Sequence, residues 1–105
     1  MKRLFISQPM NGLTDEEILA TRERLHKQAE NYLGEKLILI DSFMEDYPGE
    51  INKHIPVWYL AKSIELLSTA DVVYFGKGWE DARGCNIEYT IAQAYGITTI
   101  TEEEL

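Results

Sequence analysis

The chain has 105 residues, 45% apolar and 27% charged, the profile of one small globular domain over residues 1–105 rather than a disordered segment. Its 18 acids against 10 bases leave a net charge of −8. A surface this acidic repels phosphate backbones and excludes a nucleic-acid polymer as partner, although a local donor cluster can still hold a small nucleotide. No apolar run approaches a membrane span, "MKRLFISQ" lacks a signal-peptide h-region, and a lone Cys85 cannot form an internal disulfide, so a cytoplasmic protein without a membrane partner is expected.

Residues 2–7, "KRLFIS", read as a short buried strand, and the turn-like "QPMNG" follows. Thr14 opens a helix: Thr14 and Glu17 stand in capping-box register, and Asp15 and Glu16 suit the positive end of the helix dipole. Ile18, Leu25, Ala29 and Tyr32 recur at helical spacing, and Gly34 sits where a glycine ends a helix. Residues 36–41, "KLILID", form a second strand, too uniformly apolar to have one wet face. Residues 42–54 lack a period and read as a loop. Pro56 suits a first helical position, and Val57, Leu60, Ala61, Ile64 and Leu67 mark a second amphipathic helix ending near Thr69. Residues 71–75, "DVVYF", are a third strand. A glycine-rich loop leads to a third helix through Tyr95, closed by Gly96; residues 97–100 are a fourth strand, and "TEEEL" a frayed tail.

Strands and helices alternate as βαβαβαβ. Such a chain predicts an α/β three-layer sandwich: a flavodoxin-like, Rossmann-like parallel sheet of four strands in the order 2-1-3-4. Ligands of these folds bind at the carboxyl ends of the strands flanking the switch in chain direction. Loops 7–13 and 76–84 lie there, and they are the two most unusual loops in the chain.

On the third helix, Ile87, Ile91, Ala94 and Tyr95 make the expected apolar stripe, with Glu88 roughly 70° from its centre. Near the helix start, and kept ionised by the dipole, such a carboxylate suits a nucleophile or base. It suits a plain first-turn glutamate equally well. Asp81 reads either as a turn residue or as the partner of Glu88, since two carboxylates at a glycosidic bond divide the work of nucleophile and acid.

"FISQPMNG" looks like the first-strand motif of the nucleoside 2-deoxyribosyltransferase superfamily. "ADVVYFGKGWEDARGCNIEYTIAQAYGI" resembles its second motif, a strand, an acidic glycine-rich loop and a glutamate on a helix ending in glycine. The form Gly-Trp-Glu-Asp-x-Arg-Gly-x-x-x-Glu is closest to a small bacterial and phage branch. The resemblance implies an enzyme of the N-glycosidic bond, transferring or hydrolysing the sugar of a (deoxy)nucleoside or nucleotide, with no cofactor and no metal. Glu88 matches the nucleophile that forms a covalent glycosyl-enzyme, and Asp81 the loop aspartate that engages the base. Ser7 and Gln8 fall where first-strand residues line the pocket. Pro9, Met10, Gly76, Trp79, Arg83 and Gly84 complete the expected substrate-binding set. Three places depart from the family pattern. The loop is slightly longer, Tyr89 follows Glu88 where small or aliphatic residues are usual, and Ser63, beside Lys62, stands where the preceding helix often carries an aspartate. A catalytically weak nucleotide-binding sensor or sequestering protein on the same scaffold is the alternative.

The remaining candidates divide between roles. Trp79 either stacks on a base or packs its loop against the body; Arg83 either reaches a 5′-phosphate or pairs with a local acid. Asp71 reads as a structural cap, His26 as solvated and His54 as a helix-entrance residue. Cys85 is either a small buried side chain or a thiol with depressed pKa at a helix start. The histidines and Cys85 have no metal-ligand spacing. A short chain with thinly covered helix faces predicts a homodimer or higher homo-oligomer.

Overall fold

The computed structural model describes residues 1–42, 47–49 and 53–104. Strand β1 (Lys2–Ser7) is buried from Leu4 onward on both faces. Helix α1 (Asp15–Leu33) starts at a complete capping box: the Glu17 backbone N–H donates to Thr14 Oγ1 at 3.2 Å, and the Thr14 N–H donates to Glu17 Oε1 at 3.0 Å. It ends at Gly34, whose φ of 69° is the left-handed conformation a C-cap needs. Strand β2 (Leu37–Leu39), helix α2 (Ile55–Leu67), strand β3 (Val72–Phe75), a 3-10 turn (Trp79–Asp81), helix α3 (Arg83–Ala94) and strand β4 (Thr98–Thr101) follow. The part of the 42–54 loop at 43–46 and 50–52 lies outside the described residues.

All neighbouring strands are parallel, and the sheet order is β2-β1-β3-β4, as the alternation predicts. One face, Leu4, Ile6, Leu37, Val72, Tyr74 and Ile100, is packed by Leu25 and Ala29 of α1. The other, Phe5, Val73 and Phe75, is packed by Leu66 and Leu67 of α2 and by Tyr89 and Ile91 of α3. The result is the three-layer, flavodoxin-like arrangement with one helix on one side and two on the other. Asp71 is the cap expected of it: its Oδ2 accepts the Arg3 N–H at 2.7 Å at the amino end of the sheet.

Several expectations need correction. Strand β2 is three residues long and lies at the sheet edge, so Ile38 is exposed and the strand is not covered on both faces. Tyr32 is exposed, and Arg22 takes a buried place in the α1 stripe instead. On α2 only Leu67 is buried, while Val57 is 61% exposed; Pro56 is the second helical residue rather than the first. His26 is half-buried and ties α1 to β2, its Nε2 lying 2.9 Å from the Leu37 carbonyl oxygen. The tail is not frayed at 102–104. Glu102–Glu104 form a 3-10 turn, and Glu102 accepts from Arg24 Nη1 and from the Lys77 N–H, both at 2.8 Å.

Candidate functional site

Ser7 and Phe75 are register partners at the carboxyl ends of β1 and β3, and the Gly76 N–H extends the ladder to the Ser7 carbonyl at 2.8 Å. The two loops that leave this point touch. A Cβ on Gly76 would come within 3.2 Å of Leu25 Cδ1 and 3.4 Å of Gln8 Cβ, so a side chain there would have to push the end of Leu25 aside by a few tenths of an ångström. Gly78, at φ 88°, turns the chain beside Pro9.

Glu88 reaches into this junction from α3. Because α3 begins at Arg83, Glu88 lies in its second turn, which excludes the first-turn reading and places it beyond the strongest effect of the dipole. Nor does it stand on the margin of the apolar face. The buried face of α3 is Cys85, Glu88 and Ala92; Ile87, Ala94 and Tyr95 are exposed. The small side chains of Cys85 and Ala92 let the helix lie close to the sheet, and the carboxylate is carried inward with them to 6% exposure. Ser7 Oγ donates to Oε1 at 2.7 Å, and Ser63 Oγ, from α2, donates to Oε2 at 2.5 Å. Burial pushes the Glu88 pKa up, while the two hydroxyls and the Arg22 charge pull it back towards the ionised form. The expectation of a carboxylate made more acidic by the helix start is therefore reversed.

Arg22 is the residue sequence reasoning missed. It is 5% exposed, donates from Nε to Gln8 Oε1 at 3.2 Å, and has a buried Nη1 without a hydrogen-bond partner. Burial pushes its pKa down, against the opposing pull of the Asp41 and Glu88 charges. Its signal in the sequence is a cation at helical spacing between Ile18 and Leu25, inside the apolar stripe. Gln8 is buried and spent on structure: its Nε2 donates to the Ile18 carbonyl at 3.2 Å, while its Oε1 holds Arg22. Ser63 was legible only as the place of a missing acid; the fold makes it the second donor to Glu88.

The loop candidates separate. Trp79 packs the loop against the body, stacked on Tyr89 with ring centroids 4.3 Å apart and tilted against Phe75 at 5.4 Å. Tyr89, the departure after Glu88, is thus the surface on which the loop is fixed. Asn86 Nδ2 adds a staple, donating to the carbonyls of Trp79 at 3.3 Å, Ala82 at 3.1 Å and Glu80. Asp81 ends the 3-10 turn on the exposed side and makes no hydrogen bond to Glu88, whose two oxygens accept from the serines. Arg83 is exposed at the start of α3, and among the described residues it makes no ion pair. Gly84 faces Leu60 at ordinary contact distance, and Met10 is exposed at the rim. Cys85 is buried and its thiol pKa is pushed up by that burial, so it is the small buried side chain and not an activated thiol. Among the described residues no group of His, Cys, Asp and Glu is placed to hold a metal ion, and no helix is long and apolar enough to cross a membrane.

The site is thus a buried carboxylate oriented by two hydroxyl donors from β1 and α2, with a buried guanidinium close enough to act on it. No curated protein and no solved structure matches the chain. One family model does, over residues 2–101 and so over nearly all of these elements: the chain belongs to the DUF4406 family, a domain of unknown function.

Proposed function

We propose that the protein acts on the N-glycosidic bond of a (deoxy)nucleoside or nucleotide, by glycosyl transfer or hydrolysis, with Glu88 as nucleophile. The observation that supports this most directly is the Glu88 carboxylate held between Ser7 Oγ and Ser63 Oγ at the carboxyl ends of β1 and β3. Each carboxylate oxygen keeps lone-pair capacity after accepting one hydroxyl, so one of them is available to attack the anomeric carbon. As that bond forms, the C–N bond breaks and its electron pair leaves with the base, which takes a proton from Asp81 at the loop or from water. A second base or a water then attacks the same carbon, releases the Glu88 carboxylate and gives net retention. Ser7 and Ser63 supply orientation, and the glycines at 76 and 78 leave backbone room at the mouth.

A nucleotide-binding sensor or sequestering protein on the same scaffold is favoured by a different observation. Glu88 is buried, and Asp81 lies on the exposed side without a hydrogen bond to it. Incubation with 2′-deoxynucleosides, ribonucleosides and their 5′-monophosphates, with and without an acceptor base, separates the two by chromatography. The enzyme reading expects free base only with protein present, and none with Glu88→Ala. Binding without turnover of any substrate moves the protein to the second reading, and turnover that survives Glu88→Ala removes Glu88 from its role. The proposal extends to a cytoplasmic homodimer or higher homo-oligomer, supported by the apolar side chains that α2 leaves exposed.

A further inference from the structure

Helix α2, "IPVWYLAKSIELL", is apolar almost all round, with Lys62 and Glu65 its charged side chains. A helix of this composition belongs in an interior. Among the described residues, however, α2 buries Leu67 alone; Val57 is 61% exposed, and Ile55 and, on the neighbouring α3, Ile87 are exposed as well. Charge also sets this face apart. Of the chain's 18 acids only Glu65 and Glu88 lie on α2 or α3, and Glu88 is buried. Lys62 and Arg83 balance the two, so the net charge of −8 lies on the remainder of the chain. On α1, by contrast, the exposed Leu19 stands among Asp15, Glu16 and Glu23 at helical spacing. Two copies of so acidic a chain repel one another least across α2 and α3.

The same face bears on the site. Leu66 and Leu67 anchor the last turn of α2 to the sheet, but from Ile55 to Ile64 no side chain is fully buried. Ser63 stands in that stretch, and its hydroxyl donates to Glu88 Oε2 on α3, so the hydrogen bond lasts only while α2 lies against α3. We propose that a second copy of this chain packs on the α2–α3 face, with the two α2 helices antiparallel, and that this contact holds Ser63 against Glu88. Lys62 and Glu65, of opposite sign and 3.9 Å apart, make the face self-complementary. Across a two-fold axis Lys62 of each copy meets Glu65 of the other. The proposal rests on the homo-oligomer of the reading above, whose surface it specifies, and it is independent of what Glu88 does to a substrate.

The test is sedentation-independent of activity: the dimer dissociation constant of the intact chain is measured by analytical ultracentrifugation, with circular dichroism to show that each variant is folded. Val57→Glu and Ile87→Glu are expected to leave monomer, and Leu19→Glu on α1 to leave the constant unchanged. Lys62→Glu should weaken the dimer several-fold, and adding Glu65→Lys should restore it. Binding linkage is reciprocal, so a contact that holds Ser63 on Glu88 is itself strengthened by that hydrogen bond. Ser63→Ala should therefore weaken the dimer several-fold although the hydroxyl points inward, whereas Ser7→Ala, which removes the donor from the rigid strand β1, should not. A monomeric wild type removes the proposal and the homo-oligomer together, and leaves the face to a different partner. A dimer that survives both Val57→Glu and Ile87→Glu keeps the homo-oligomer and sinks this surface. Failure of the Lys62 and Glu65 exchange to restore association overturns the antiparallel pairing, and equal constants for Ser63→Ala and wild type overturn the link to Glu88.

Discussion

Glu88 is costly where it stands. Its pKa is raised from an ordinary 4.5 by burial, so the folded protein holds that proton more tightly than the unfolded chain. Between 4.5 and the raised value the folded state binds more protons, and stability falls as pH rises through that window. Below the window both states are protonated and the effect vanishes; above it the loss is complete. Glu88→Gln keeps the shape and loses the titration. Its stability relative to wild type should therefore be flat at low pH and climb as pH rises through the window, measured by urea unfolding at a series of pH values. A difference that does not change with pH would mean that Glu88 is not desolvated. Ser63→Ala removes the donor to Oε2 and should cost about 1.5–3 kcal/mol, the range of a hydrogen bond to a charged group, with the loss largest at neutral pH. The same variant in a Glu88→Gln background should cost less, and additive losses would show that Ser63 acts elsewhere.

At the scale of elements, the mouth of the site depends on how loop 76–84 is pinned. Trp79 lies on Tyr89, Asn86 collects the turn carbonyls, and Gly78 holds a φ of 88°. Alanine at 78 meets Pro9 Cγ only at the ordinary contact distance of 3.6 Å, so the cost is conformational, about 1 kcal/mol for a left-handed residue. Denaturant unfolding of Gly78→Ala that matches wild type would show that the turn relaxes freely. The elements themselves were largely legible. Thr14 with Glu17 and the glycine at 34 bracket α1 where local chemistry alone decides, because a capping box and a left-handed cap need only neighbours in sequence. The apolar run at 36–41 overstates the length and burial of β2, since such a run does not say whether its strand ends a sheet. The α3 face departs from its periodicity for a related reason. Periodicity puts Ile87 and Tyr95 on a stripe, but packing chose the narrower Cys85 and Ala92, which let the helix approach the strands.

At the scale of the molecule, the three helices and four strands of the described residues leave apolar side chains in the open, Val57 and Ile55 on α2 and Ile87 on α3 among them. The proposed self-association predicts a mass above that of the single chain by light scattering at micromolar concentration, and a shift to monomer for Val57→Glu. A monomeric wild type would remove oligomerisation from the reading. The parallel order β2-β1-β3-β4 follows from alternation and right-handed crossover, rules that act on the chain's connectivity and need no knowledge of side-chain contacts. That is why the sequence alone determined the layers, the switch point and the two loops that meet there. It also marked Glu88 as the carboxylate to watch. Tertiary structure alone decided the surroundings of that carboxylate. Ser7, Ser63 and Arg22 come from β1, α2 and α1, far from Glu88 along the chain, and their meeting depends on side-chain packing across the sheet. Spacing in sequence carries no record of it.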